Sequence, residues 1–246
     1  MPDYDFSGQR LFLDAALREG EALEADGPQT NYLLNVLRLD EGARILVFNG
    51  RDGEWAAGLR REGRKRLFLV PERAVRAQTP PSDLHYCFAP LKSARLDYMV
   101  QKAVEMGAGV LQPVLTQHVQ APRVNVDRMR ANAVEAAEQC GILSVPECRE
   151  PLRFDRFLAG RDEGRTLVFC DERAEAASPI DVLAPLKGRP LALLIGPEGG
   201  FSAGERDSLL AAPSVLRISL GPRILRADTA AVAALAAIQA SAGDWT

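Results

Sequence analysis

The sequence is poor in the residues that mark several protein classes. Of its 246 residues only 2 are histidine, 4 cysteine and 2 tryptophan. Cys87, Cys140, Cys148 and Cys170 share no CxxC or other metal spacing and sit in apolar settings. They are expected to be buried free thiols in a reducing compartment, with no metal site. Neither sign of charge dominates: 30 basic against 33 acidic side chains leave a formal net charge of -3, which argues against a general nucleic-acid coat. The longest nearly uncharged stretch, Thr229 to Gly243, falls short of the ~20 apolar residues that a bilayer crossing needs. The start, Met1-Pro2-Asp3-Tyr4-Asp5, lacks the basic-then-apolar order of a secretory signal, so a cytoplasmic protein is expected. Nothing matches GxGxxG or GxxxxGK(S/T), the patterns of two common phosphate-binding loops.

The remainder is the composition of an ordinary folded protein, 47% hydrophobic and 26% charged, long enough for one large or two medium domains. Gln78-Thr79-Pro80-Pro81-Ser82-Asp83 reads as a linker, because two prolines hold the backbone extended and remove two donors. Before it, Ile45–Phe48, Trp55–Leu59 and Leu67–Val70 read as short strands around one helix, Asn31 to Arg38, and predict a small barrel. After it, apolar runs at Leu84–Leu91, Val110–Leu115, Thr166–Cys170, Leu191–Ile195 and Val215–Leu220 alternate with helical stretches, which predicts an α/β domain with a parallel sheet. Ser93 is the expected N-cap of one helix and Gly107 its stop; Asp127 and Gly141 bracket another.

Two loops stand where a strand hands over to a helix. Gly196-Pro197-Glu198-Gly199-Gly200 precedes Ser202 and Glu205, which have capping-box spacing. Gly221-Pro222-Arg223-Ile224-Leu225-Arg226 precedes a helix expected to be capped by Asp228 or Thr229. Loops at the carboxyl ends of strands are where open α/β sheets bind ligands. Glu198 would repel a phosphate, so the pair suits one small molecule without phosphate. The last helix, with Val232, Leu235 and Ile238 among alanines, is apolar all round and must be covered on every side, by a partner subunit or by its own domain. Arg60-Arg61-Glu62-Gly63-Arg64-Lys65-Arg66 concentrates five positive charges, a candidate phosphate contact or a solvated hairpin tip. His85 reads as a core histidine, and His118 lies in a loop.

Five segments together resemble a known family. They are NVLRL (Asn35 to Leu39), QKAVEMG (Gln101 to Gly107), EAAEQCG (Glu135 to Gly141), LIGPEGGFSAGE (Leu194 to Glu205) and LGPRILRADTA (Leu220 to Ala230). In this order they resemble the RsmE family of SPOUT-class, trefoil-knotted RNA methyltransferases, which methylate N3 of a uridine in 16S ribosomal RNA. The resemblance implies a PUA-like RNA-binding β-barrel over residues 1–73 and a methyltransferase domain over 82–246. It implies a homodimer packed through the last helix, a small-ribosomal-subunit substrate and S-adenosylmethionine as methyl donor. Leu194, Gly196, Pro197, Glu198, Gly199, Gly200, Leu220, Gly221, Ile224, Leu225 and Thr229 are then expected to hold the donor. Arg223, Arg226 and Asp228 are the candidate catalytic groups, with the arginines stabilising a uracil oxyanion and Asp228 the nearest base. Arg38, Arg60, Arg61, Arg64, Lys65, Arg66 and Arg123 are the expected RNA contacts. Glu105 and Glu138 recur in the family's motifs as groups that orient the site or hold the fold. The chain departs from the family's pattern at Asn31, at Thr116-Gln117-His118-Val119, and at Ala227-Asp228, where the family has Thr-Glu. A non-catalytic RNA-binding assembly factor and a nucleotide-dependent α/β enzyme are the competing classes; intact donor loops argue against the first, Glu198 and a missing loop lysine against the second.

Overall fold

A computed structural model of the chain describes residues 8–63, 66–174 and 177–245. Two compact units form. One runs up to Pro80 and also takes in Ala137–Val145; the other comprises Pro81–Ala136 and Pro146 onward. A division at the linker alone, 1–73 against 82–246, contains no such return of the chain.

The first unit holds β1 (Arg10–Phe12), β2 (Leu23–Glu24), α1 (Gly27–Asn31), β3 (Arg44–Phe48), β4 (Glu54–Glu62) and β5 (Arg66–Arg76). The sheet order is β1-β3-β4-β5-β2, with β1 parallel to β3 and the other neighbours antiparallel. Two register shifts in the β4–β5 ladder bend it into a half-barrel around Leu33, Val47, Ala57, Leu67 and Leu69, all fully buried. Glu54, fully buried, meets Arg10 at 3.0 Å and Arg76 at 3.3 Å, so the charge carried into this core is paired. The helix begins four residues before the expected Asn31. Asp26 and Gln29 form a capping box and Pro28 presets the first turn. A π-helical turn, Tyr32–Val36, continues it, and Arg38 ends it at φ 55°.

The second unit contains β6 (Leu84–Phe88), α2 (Ser93–Glu105), β7 (Val110–Leu115), most of α3 (Val126–Cys140), β8 (Glu147–Cys148), β9 (Leu152–Arg153), α4 (Phe154–Ala159), β10 (Thr166–Cys170), α5 (Pro179–Leu183), β11 (Leu191–Ile195), α6 (Ala203–Ala211), β12 (Val215–Ile218) and α7 (Ala227–Ala242). Its parallel sheet has the order β12-β10-β11-β6-β7-β8. Every residue of β11 is buried, the mark of a strand covered on both faces. Gly107 and Gly141 stop α2 and α3 at φ 79° and 64°, the left-handed conformation expected there.

Several expectations are corrected. The N-cap of α2 is Lys92, not Ser93, and that of α7 is Arg226, not Asp228 or Thr229. Both helices thus begin earlier than those capping residues suggest, α2 by one residue and α7 by two or three. The apolar α7 is covered by its own unit: it packs against α2, α5 and β11, and Ala231, Ala234, Leu235 and Ile238 are buried within a single chain. Of the cysteines only Cys87 is buried; Cys148 and Cys170 are half-buried, and Cys140 is exposed on the last turn of α3. Among the described residues no helix is long and apolar enough to cross a membrane.

Candidate active site

Three parallel strands, β12, β10 and β11, present their carboxyl ends side by side. The two Gly-Pro loops leave from β11 and β12, but these strands are not neighbours, because β10 runs between them. The loop after β10 therefore becomes part of the site. Together the three loops enclose a cavity of about 280 Å³.

Of the residues expected to hold a donor, Gly196, Pro197, Glu198, Gly200, Leu220, Gly221, Ile224 and Leu225 line this cavity. Three do not. Leu194 is fully buried in the strand core, Thr229 is exposed on the first turn of α7, and Gly199 faces away, where an added Cβ would stand 3.4 Å from His118 Cβ. Two glycines are required by conformation. Gly200 (φ 70°) closes a turn by donating its N–H to the Pro197 carbonyl at 2.9 Å, and Gly221 (φ 95°) has no atom within 4 Å of where a Cβ would be, so its backbone is open to a ligand. Ile224 is 92% exposed at the mouth, an apolar side chain without cover.

Sequence reasoning missed the floor. Cys170, Asp171 and Arg173 line the cavity, as do Phe201, Arg206 and Ala230. Asp171 is buried and accepts from Arg206 Nη2 at 2.8 Å and from the Arg173 N–H at 3.0 Å. Burial pushes its carboxyl up, and these donors more than offset that, holding it below the usual range. The ion pair ties the β10 loop to α6. Asp171 directly follows the apolar run Thr166–Cys170, a signal that would have found it. Burial lifts the Cys170 thiol to about 12, so it stays protonated at neutral pH and is no competing nucleophile.

The candidate base proves to be an anchor. Asp228 accepts from Arg95 Nε at 2.8 Å and Nη2 at 2.9 Å, and from the Thr229 N–H at 2.9 Å. The Arg95 guanidinium beside it holds its carboxyl below the usual carboxylate range. Arg95 also donates to Glu198. One cation on α2 thus joins the β11 loop to the start of α7, and its own pKa is raised, first by Asp228 and then by Glu198. Nothing in the local sequence around Arg95 announces this; it takes the packing of α2 against α7. Arg223 and Arg226 are exposed, and among the described residues their side chains have no hydrogen-bond or ion-pair partner; Arg223 lines the cavity and Arg226 does not.

The segment Thr116-Gln117-His118-Val119 docks on the same loop. The Gln117 N–H donates to Glu205 at 2.7 Å, and His118 Nδ1 lies 3.1 Å from the Gly200 carbonyl oxygen. His85 lies half-buried on β6, its pKa pushed down to about 4 by desolvation and by Arg165. Glu105 accepts from Lys102 Nζ at 2.7 Å, and Glu138 accepts from the Phe12 N–H at 2.8 Å, so both hold the fold.

The expected RNA contacts divide between the units. Arg38, Arg60 and Arg61 are exposed on the first and Arg123 on the second, while Arg64 and Lys65 lie outside the described residues. Arg66 is engaged by Glu24 at 2.8 Å and Glu62 at 2.6 Å. It and Arg60 lie over the Phe68 ring at 4.9 and 5.3 Å. Near Arg123, Arg128 is paired with Asp97.

Known proteins share this arrangement. Residues 78–239 match the RNA methyltransferase domain family and residues 25–72 the RNA methyltransferase PUA domain family. A ribosomal RNA small subunit methyltransferase E from Synechocystis sp. is 33% identical over 219 residues, covering 86% of this chain and 71% of that one. A protein of the same name from Rickettsia conorii is 28% identical over 94% of both chains. Among solved structures, a ribosomal RNA small subunit methyltransferase E from Neisseria gonorrhoeae bound to S-adenosylmethionine superposes with a TM-score of 0.85 at 25% identity, covering 97% of this chain and all of that one. A methyltransferase from Legionella pneumophila in complex with the same cofactor gives 0.84 at 29%, covering 96% and 98%.

Proposed function

The chain belongs to the ribosomal RNA small subunit methyltransferase E family, with that family's PUA and SPOUT-type α/β domains, and from this membership we propose that it methylates N3 of a uridine in 16S ribosomal RNA with S-adenosylmethionine as donor. The observation that carries the reading is the 280 Å³ cavity, whose walls are the two Gly-Pro loops and the β10 loop.

The residues fit such a donor. It is a cation without phosphate, and the cavity offers the carboxylate of Glu198 and the open backbone of Gly221 in place of a phosphate nest. When bound, the donor supplies an electrophilic methyl group on a sulfonium. Transfer breaks the carbon–sulfur bond, forms the carbon–N3 bond, leaves a neutral thioether and releases the N3 proton to water. Placement and charge supply the acceleration. Arg95 fixes the loops that hold the donor. Arg223, which lines the cavity, and the exposed Arg226 three residues on, both with unpaired side chains, stabilise the oxyanion that grows as the proton leaves. Asp228, locked onto Arg95 with a lowered pKa, is a positioning group and a poor proton acceptor.

The basic side chains of the PUA unit, Arg38, Arg60 and Arg61, hold the RNA backbone, and Arg123 does so from the catalytic unit. From a ribosomal RNA substrate we infer a cytoplasmic protein, and the family's homodimer is its expected assembly. Calorimetry tests the core of this reading. Wild type should bind one S-adenosylmethionine per chain and no ATP, and Ala230→Leu, which extends a side chain into the cavity from α7, should abolish binding without unfolding. Mass mapping of small-subunit RNA from cells lacking the gene should show one uridine without its methyl group; a fully methylated RNA would refute the assignment.

A further inference from the structure

The turn that ends the β11 loop spends its backbone N–H groups unevenly. The Gly200 N–H donates to the Pro197 carbonyl at 2.9 Å, and the Ser202 N–H donates to Glu205 at 2.9 Å. Between them, the Phe201 N–H has no hydrogen-bond partner among the described residues. The Phe201 side chain, by contrast, is fixed. Its ring meets Phe169 edge-on at 6.1 Å and Phe154 at 6.2 Å, and a Cβ at Gly196 would stand 2.8 Å from it. Phe201 lines the cavity that receives the methyl donor.

The direction of this free N–H depends on the carbonyl of the same peptide, that of Gly200. In a planar trans peptide the C=O and the N–H point to opposite sides. The Gly200 carbonyl oxygen lies 3.1 Å from His118 Nδ1, and because a carbonyl only accepts, Nδ1 carries the hydrogen. His118 does not line the cavity, so this bond draws the carbonyl away from it and turns the Phe201 N–H toward it. His118 is itself held. The Val119 N–H closes a turn on the Thr116 carbonyl at 3.3 Å, and the Gln117 N–H donates to Glu205 at 2.7 Å, on the oxygen that Ser202 leaves free. One carboxylate thus ties the neighbour of His118 to the neighbour of Phe201. All of these residues belong to the second unit.

We propose that His118 is a positioning residue for methyl transfer: by holding the Gly200 carbonyl on the outer side of the turn, it aims the Phe201 N–H into the cavity, where that N–H donates a hydrogen bond to S-adenosylmethionine. The ligand carries acceptors on its adenine, its ribose and its carboxylate, so an inward N–H meets a complementary surface. A backbone donor set before the ligand arrives costs no reordering on binding. Without His118 the peptide can rotate, and part of the population presents its carbonyl instead. The segment that supplies His118 is one where the chain departs from the family's pattern, so the control belongs to this chain's own residues.

This proposal rests on the reading of the cavity as the S-adenosylmethionine site, and the experiment separates their failures. His118→Ala removes the bond to Gly200. His118→Asn restores it, because the side-chain amide nitrogen of Asn reaches about as far as Nδ1. His118 is exposed, so Tm should stay within about 2 °C of wild type in both. Calorimetry should show the S-adenosylmethionine Kd raised about three- to tenfold in His118→Ala, the range of one neutral hydrogen bond, and within about twofold of wild type in His118→Asn. Amide hydrogen exchange gives a second reading that a purely structural role would not move. Adding S-adenosylmethionine should slow exchange at the Phe201 amide in wild type and His118→Asn, and much less in His118→Ala. If wild type binds no S-adenosylmethionine, the reading of the cavity fails and this proposal with it. If wild type binds it while exchange at Phe201 is unaffected, or if the Kd of His118→Ala is unchanged or its loss is not restored in His118→Asn, the role of His118 is overturned and the cavity assignment stands. Should His118→Ala melt well below wild type, the exchange at Phe201 in wild type and His118→Asn still decides.

Discussion

Removal of the Arg95 side chain should disturb the donor site without touching the donor. Its guanidinium makes two hydrogen bonds to Asp228, at 2.8 and 2.9 Å, and a third to Glu198. The three side chains are 31%, 17% and 32% exposed, so solvent screens them only in part. Hydrogen bonds to charged groups contribute ~1.5–3 kcal/mol each when buried, and exposed ion pairs ~0–1 kcal/mol. Between these limits, Arg95→Ala should destabilise the protein by about 2 kcal/mol. For a chain of this size that lowers Tm by roughly 4–8 °C. The variant also leaves two carboxylates near each other without their cation, so the β11 loop and the start of α7 separate. Donor affinity should then fall about tenfold, equivalent to ~1.4 kcal/mol. Arg95→Lys keeps the charge but not the paired geometry and should fall between.

The effect carries a pH signature. Arg95 lowers the folded-state pKa of Asp228 below its ordinary value of 3.8. The pair therefore stabilises the fold in full above that value, and the stabilisation is lost as pH falls through the lower, folded-state pKa. The Tm difference between wild type and Arg95→Ala should be constant near neutrality and shrink below about pH 3.8. Thermal melts across pH 3 to 7, with calorimetry at neutral pH, measure both. A variant with wild-type Tm and wild-type donor affinity would refute the argument that Arg95 joins the loops.

Leu235 is fully buried in α7, so Leu235→Ala should lose ~2–5 kcal/mol in urea denaturation, whereas Ala240→Glu on the exposed side of the same helix should change stability by less than ~0.5 kcal/mol. A small effect of Leu235→Ala would mean that the helix is not covered by its own chain in solution. Arg60→Ala and Arg61→Ala should each lower the log-log salt slope of RNA binding by ~0.7 to 0.9 and leave donor affinity alone. Arg66→Ala should change that slope less, because Arg66 is already neutralised by Glu24 and Glu62.

Much of this architecture is local in origin and hence legible in order along the chain. The runs Val110–Leu115, Thr166–Cys170 and Leu191–Ile195 are strands to the residue: the last two hold four and five consecutive apolar side chains between turn signals, and the first is apolar but for Gln112. Ser202 and Glu205 cap α6 reciprocally, as their spacing predicts. The glycines at 107, 141, 200 and 221 all take positive φ, a backbone need that residue type alone betrays. The two Gly-Pro loops were visible for the same reason.

What lay beyond the sequence is the order of the strands and whatever depends on it. Nothing in the chain before folding says that β10 runs between β11 and β12, yet that placement brings Asp171 into the cavity floor and Arg206 onto it. Composition made α7 a helix in need of cover, but only packing against α2, α5 and β11 decided that its own unit provides it. Asp228 shows the difference most sharply. Its place after a loop suggested a cap or a base, and a partner 133 residues away, Arg95, made it neither. Local propensity and periodicity fix elements because they act between residues a few positions apart; pairing of charges and lining of cavities join residues that only the folded chain brings together.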